Sequence, residues 1–126
     1  MRHISFWLLF LLFSCDKKDE CAPEYHEGAP ISVEGPSTAQ VGTSITLSLS
    51  FAVYNGCGQF SRFQETTKGN KRIIKPIAVY PTCSLCTADI PTRHVDYKFS
   101  ADQPGTYYLQ FEGIYESEVL DTIVVH

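Results

Sequence analysis

The segment Thr43 to Tyr54 constrains the fold more than any other part of the chain. Ile45, Leu47, Leu49, Phe51 and Val53 alternate with Thr46, Ser48, Ser50 and Ala52. A strand points successive side chains to opposite faces, so this period of two describes a strand with one face in a core. A helix would scatter the same residues around its axis. Shorter segments repeat the pattern. Ile31–Glu34 ends at Gly35-Pro36, and Gln59–Thr66 and Lys71–Tyr80 flank a hairpin turn at Lys68-Gly69-Asn70. His94–Ser100 places Val95, Tyr97 and Phe99 on one face, Tyr107, Leu109 and Phe111 share a face in the next strand, and Val119–Val125 closes the chain. Pro76 predicts an edge or a bulge in Lys71–Tyr80. Seven strands with no helical repeat predict an all-β sandwich of about seven antiparallel strands over residues 31–126.

The stretch Asp102-Gln103-Pro104-Gly105-Thr106-Tyr107-Tyr108-Leu109 resembles the turn before the sixth strand of immunoglobulin-like domains. In that family a tyrosine, here Tyr107, ties its hydroxyl back to the turn. The inter-sheet cysteine expected two residues later is Leu109 in this chain, so the antibody-type disulfide is absent.

The N-terminus carries an address. Met1-Arg2-His3 is followed by an apolar run from Ile4 to Phe13, then Ser14-Cys15 and the charged segment Asp16-Lys17-Lys18-Asp19-Glu20. That layout is a secretory signal. A run of about ten residues is too short to cross a hydrocarbon core of roughly 30 Å as a helix. Leu12, Ser14 and Cys15 resemble the lipobox of bacterial lipoproteins, which implies that residues 1–14 are removed and Cys15 is acylated. Lys18-Asp19-Glu20 resembles the export signal of Bacteroidetes-type surface lipoproteins. The resemblance implies an outer-membrane lipoprotein, displayed at the cell surface or on the periplasmic face, with the membrane as one partner. Residues 15–30, with Pro23, Gly28 and Pro30 and no periodicity, read as a flexible tether.

Five cysteines are an odd number, and assigning Cys15 to lipid leaves Cys21, Cys57, Cys83 and Cys86, an even set suited to an oxidising compartment. Strand parity places all four at one end of a sandwich, the end that also holds the tether. Two disulfides are expected, with Cys57 joined to Cys83 or Cys86 and Cys21 to the other, because closing a long loop restrains the unfolded chain more than closing Cys83-Ser84-Leu85-Cys86 on itself. Two alternatives use the same sulfurs. Cys83 and Cys86 could exchange disulfides, although no helix start is at hand to depress a thiolate pKa. Four thiolates, or three with His94, could hold zinc, although a second Cys-x-x-Cys is missing.

Beyond the cysteines the chain offers surfaces rather than catalytic signatures. Arg62, Lys68, Lys71, Arg72 and Lys75 surround the hairpin turn and would either meet an acidic ligand or keep an edge from pairing. Tyr54, Tyr80 and Tyr108 are expected to face outward, where tyrosines suit carbohydrate or protein contact. Without Arg2, nine Lys and Arg face fourteen Asp and Glu, a side-chain charge of −5 that argues against nucleic acid. No nucleophile elbow, phosphate loop, metalloprotease helix or calcium loop occurs. The sequence therefore predicts a lipid-anchored binding or scaffolding module of the envelope, with no catalysis, cofactor or metal. Its expected partner is an envelope protein or an extracellular glycan. Redox exchange at Cys83 and Cys86, and a protease inhibitor using the Lys68–Lys71 tip, are the alternatives.

Overall fold

The computed structural model describes residues 20–126; the signal segment and Cys15 lie outside them. Nine strands follow in order: β1 (Glu24–Glu27), β2 (Ala29–Glu34), β3 (Thr38–Ala39), β4 (Ile45–Ala52), β5 (Gln59–Lys68), β6 (Lys71–Tyr80), β7 (Thr92–Phe99), β8 (Gly105–Glu112) and β9 (Glu118–Val125). A short 3-10 turn, Ile114–Glu116, separates the last two. The strands form two sheets. The smaller has the order β2-β4-β7. In the larger, β3, β9, β8 and β6 are successive neighbours, β5 pairs with one edge of β6, and β1 pairs with β6 as well. This is the expected all-β sandwich.

The alternating residues of β4 fill the space between the sheets. Leu47, Leu49, Phe51 and Val53 are buried against Tyr97 and Phe99 of β7, and against Ile74, Leu109, Phe111 and Ile123 of the larger sheet. Each fully buried aliphatic or aromatic side chain contributes roughly 1.5–3 kcal/mol relative to exposure, so this set supplies the main drive to fold. Edge-to-face contacts order the aromatic part: Phe63 meets Tyr97 at 5.2 Å and Tyr97 meets Phe111 at 5.4 Å between ring centres. Burial pushes the Tyr97 phenol pKa well up, and its contact with Glu65 adds to the effect.

The tyrosine expected at the turn before β8 behaves as the resemblance implied. Tyr107 donates its hydroxyl to the Gln103 carbonyl at 2.8 Å and packs its ring 5.6 Å from Phe99.

Three expectations need correction. The domain starts before residue 31, because Glu24–Glu27 pairs with Tyr80–Ile77 as β1. Apolar alternation is missing there because His26, on the inward side of the strand but still exposed, packs on tyrosines, and Glu27 on the outward side pairs with Lys75. Second, β6 is central rather than an edge, and the irregularity expected near Pro76 lies in its neighbour β5, where the register shifts between Phe60 and Arg62. β6 pairs with β8 through residues 71–74 and with β1 through residues 77–80, and Pro76 falls where the partner changes. Third, not every pairing is antiparallel: β6–β8 and β3–β9 run parallel. Two reversals separate β6 from β8, through β7 in the other sheet, so the two strands point the same way.

Candidate binding face and the cysteine end

The cysteine end is built from two loops and the start of the chain. Cys57 lies in the loop between β4 and β5, Cys83 and Cys86 in the loop between β6 and β7, and Cys21 just before β1. Cys21 is bonded to Cys83 and Cys57 to Cys86, with Cα–Cα distances of 5.3 and 5.4 Å. The parity reading holds, and so does the pairing of distant elements. Cys83 and Cys86 are not bonded to each other, and all four sulfurs are occupied, which leaves none of them as a thiolate ligand for zinc. His94 sits on β7 with its Nδ1 at 2.8 Å from Ser50 Oγ. No group of three His, Cys, Asp or Glu side chains gathers into a ligand set among the described residues.

Other contacts hold the two loops together, and Arg93 is the one sequence reasoning missed. Its guanidinium donates from Nε to the Gly58 carbonyl at 2.9 Å and from Nη2 to the Gly56 carbonyl at 3.1 Å. The Gly56 amide donates to the Thr87 carbonyl at 3.0 Å, and Asn55 Oδ1 accepts from the Cys57 amide at 2.9 Å, a side-chain turn typical of Asn. Gly58 has no room for a side chain, since a Cβ there would lie 2.5 Å from Tyr80 Cε1. Between the disulfides the chain presents Ser84 and Leu85. Leu85 is as exposed as in an isolated chain (104 %), and Ile90 of the same loop is 66 % exposed.

The expected tyrosine surface divides. Tyr80 is buried, stacked at 3.9 Å on half-buried Tyr54, and its Oη accepts from the Tyr54 amide at 3.1 Å. His26 meets both rings edge-on at 5.3 and 5.7 Å. Burial raises the pKa of both phenols. These two residues brace the cysteine end rather than face solvent. The alternation misled at Tyr80 because β6 is apolar on both faces near its end: Lys71 and Lys75 mark the outer face, but Arg72 puts a cation on the inner one as well. Tyr108 does point out, 49 % exposed, on the outer face of the larger sheet.

The basic tip is also smaller than its sequence cluster. Arg72 turns inward: its guanidinium lies 4.6 Å from the Phe99 ring centre and donates to the Ser100 carbonyl at 2.8 Å. Arg62 pairs opposite Ile77, away from the turn, and covers Tyr25 at 5.3 Å. Lys75 is held by Glu27 at 2.9 Å and by Glu112 at 3.9 Å, and the hydrogen bond to Glu27 is the main reason its pKa is raised. Lys68 and Lys71 remain, directly opposite each other at the hairpin. Like charges across a strand pair are slightly destabilising, so this pair does not serve the hairpin's own stability.

The outer face of the larger sheet carries a groove of about 570 Å³ beside those lysines, lined by Asn70, Lys71, Tyr108, Gln110, Leu120 and Thr122. A shallower hollow of about 240 Å³ lies across β5 and β6, bordered by Gln64, Thr66, Lys68 and Lys75. Tyr115, 80 % exposed, rises at the rim of the same sheet on a backbone with φ of 59°. No strand pattern marks it, because it sits in the irregular turn before β9. This face offers an aromatic ring, side-chain amides, a threonine hydroxyl and a lysine in one place, with the acidic residues Glu118 and Asp121 at its border.

A family model of the ORF11 beta-sandwich domain matches residues 47–120, more than half of the chain. The chain belongs to the ORF11 beta-sandwich domain family. The matched part of the ORF11 domain runs from β4 into β9. It contains Cys57, Cys83, Cys86, Arg93 and Tyr108, and leaves β1 to β3 and Cys21 outside. No curated protein and no solved structure matches the chain. Two disulfides in an ORF11 beta-sandwich domain are consistent with a periplasmic or extracellular location.

Proposed function

We propose that this chain is an exported, lipid-anchored binding module of the cell envelope, attached through Cys15 and binding through the outer face of its larger sheet. The observation that carries the reading is the cysteine count. Four of the five cysteines pair inside the fold, and the fifth, Cys15, stands where an apolar signal run meets a charged segment. Several acyl chains on one cysteine give stable anchoring, since each buried methylene contributes about 0.8 kcal/mol. The outer membrane is the membrane proposed, with display at the cell surface favoured by Lys18-Asp19-Glu20.

The groove beside Tyr108 supports binding rather than catalysis. An exposed tyrosine ring stacks on apolar faces; around it Asn70 and Gln110 each give one amide N–H to the fold, to the Thr106 carbonyl and to Glu112, and keep the amide oxygen for a ligand beside the Thr122 hydroxyl. That chemistry suits an extracellular glycan or the polar rim of an envelope protein. Cys15→Ala is expected to move the protein from the membrane fraction to the soluble fraction. Tyr108→Ala is expected to leave stability unchanged and to abolish retardation in gels containing a neutral polysaccharide that slows the parent. Unchanged retardation of Tyr108→Ala removes this groove as the binding site.

A further inference from the structure

We propose that the cysteine end is a membrane-contact surface: the two disulfides present Leu85, with Ile90 in the same loop, to the lipid headgroup region. This rests on the lipid-anchor reading above and adds an orientation to it.

Three observations lead there. Cys15 and Cys21 are six residues apart in sequence, and an extended chain covers at most about 3.6 Å per residue, so the lipid-bearing residue lies within roughly 20 Å of Cys21. Cys21 is bonded to Cys83 across 5.3 Å, and Leu85 follows two residues later, so Leu85 lies within about 13 Å of Cys21. The loop is also suited to lipid. Residues 81–91 hold a single charged side chain, Asp89, whose carboxylate accepts the Thr87 hydroxyl.

Among the described residues nothing covers the Leu85 side chain. Flanking disulfides hold Cys83 and Cys86, so the loop cannot fold the leucine into the core, and the side chain stays at 104 % exposure. A rigid apolar tip loses little conformational freedom on entering an interface. The opposite end of β6 carries Lys68 and Lys71. At about 3.3 Å per residue the ten residues of β6 hold that tip roughly 30 Å away from the cysteine end. The domain would stand on its disulfides with the lysine tip outermost and the Tyr108 groove open on its flank.

The mature chain would contain no tryptophan, because Trp7 lies in the signal segment. Leu85→Trp and Lys68→Trp therefore each create a single reporter. The full chain with its signal would be expressed in a Gram-negative host, extracted from membranes as the acylated protein, checked for parental melting, and reconstituted into phosphatidylethanolamine–phosphatidylglycerol vesicles. The expected result is blue-shifted emission from residue 85 that is lost with lipids brominated on the acyl chains, and unshifted, unquenched emission from residue 68. Protein that floats with the vesicles but is unquenched at residue 85 overturns the contact surface and leaves the anchor standing, with Leu85 then facing a protein partner. Equal quenching at both positions overturns the orientation. Protein that carries no acyl chain overturns the anchor and the contact surface together.

Discussion

Removing either disulfide is expected to cost several kcal/mol, and the size follows from loop length. Cys57 and Cys86 are 29 residues apart, and Cys21 and Cys83 are 62 apart. Closing loops of those sizes in the unfolded chain stabilises by about 3.6 and about 4.3 kcal/mol respectively in the chain-entropy model. For a domain of this size 1 kcal/mol corresponds to roughly 4–5 °C in Tm, so Cys57→Ala/Cys86→Ala should melt about 16 °C below the parent. Arg93 and the Gly56–Thr87 hydrogen bond keep the two loops in register in that variant, which preserves the native geometry to be compared. Cys21→Ala/Cys83→Ala is expected to fall short of its larger ceiling. Its disulfide also restrains the start of the native chain, where Thr82 Oγ1 still donates to the Ala22 carbonyl. Thermal and urea unfolding followed by far-ultraviolet circular dichroism measure both losses. A loss below about 1 kcal/mol in either variant would refute the view that these bonds staple the fold. It would return Cys83 and Cys86 to consideration as an exchangeable pair.

Three further outcomes follow from the geometry. Tyr107→Phe removes the hydroxyl bonded to Gln103 without changing the packing on Phe99, and should cost about 1 kcal/mol in urea unfolding. Gly58→Ala forces a methyl against Tyr80 and Val53 and should cost roughly 1–3 kcal/mol, with Cys57–Cys86 still formed by mass. Asp121 faces inward on β9 beyond the short pairing with β3, and burial raises its carboxyl pKa. A raised acid pKa means that folding disfavours the ionised form, so the penalty is present at neutral pH and is lost as pH falls through the carboxylate range. Asp121→Asn should therefore be more stable than the parent at pH 7, with the gap closing in acid; a gap that widens on acidification contradicts this assignment.

The core was legible because β4, β7 and β8 each keep one apolar face, and Leu47, Phe51, Phe99 and Phe111 lie where alternation puts them. The cysteine end was legible from strand parity, which depends on the number of reversals and not on which sheet a strand joins. β1 was not legible, since its contribution comes from His26 on two tyrosines and from an ion pair. Nor was the inward turn of Arg72, because a guanidinium over a ring looks in sequence like any surface cation near a hairpin. Tyr80 was misplaced because Ile73, Ile74, Ile77, Ala78 and Val79 make both faces of β6 apolar. An inward charge such as Asp121 breaks the alternation for a different reason: on a partly unpaired edge it discourages pairing with another chain.

The decisive measurement for the lipid anchor and the paired cysteines is the intact mass of the chain expressed with its signal, extracted from membranes and weighed before and after reduction. The expected product is a chain beginning at Cys15, heavier by its acyl chains and lighter by four hydrogens, which reductant restores. A chain that begins elsewhere and carries Cys15 as an unmodified thiol would overturn the anchor.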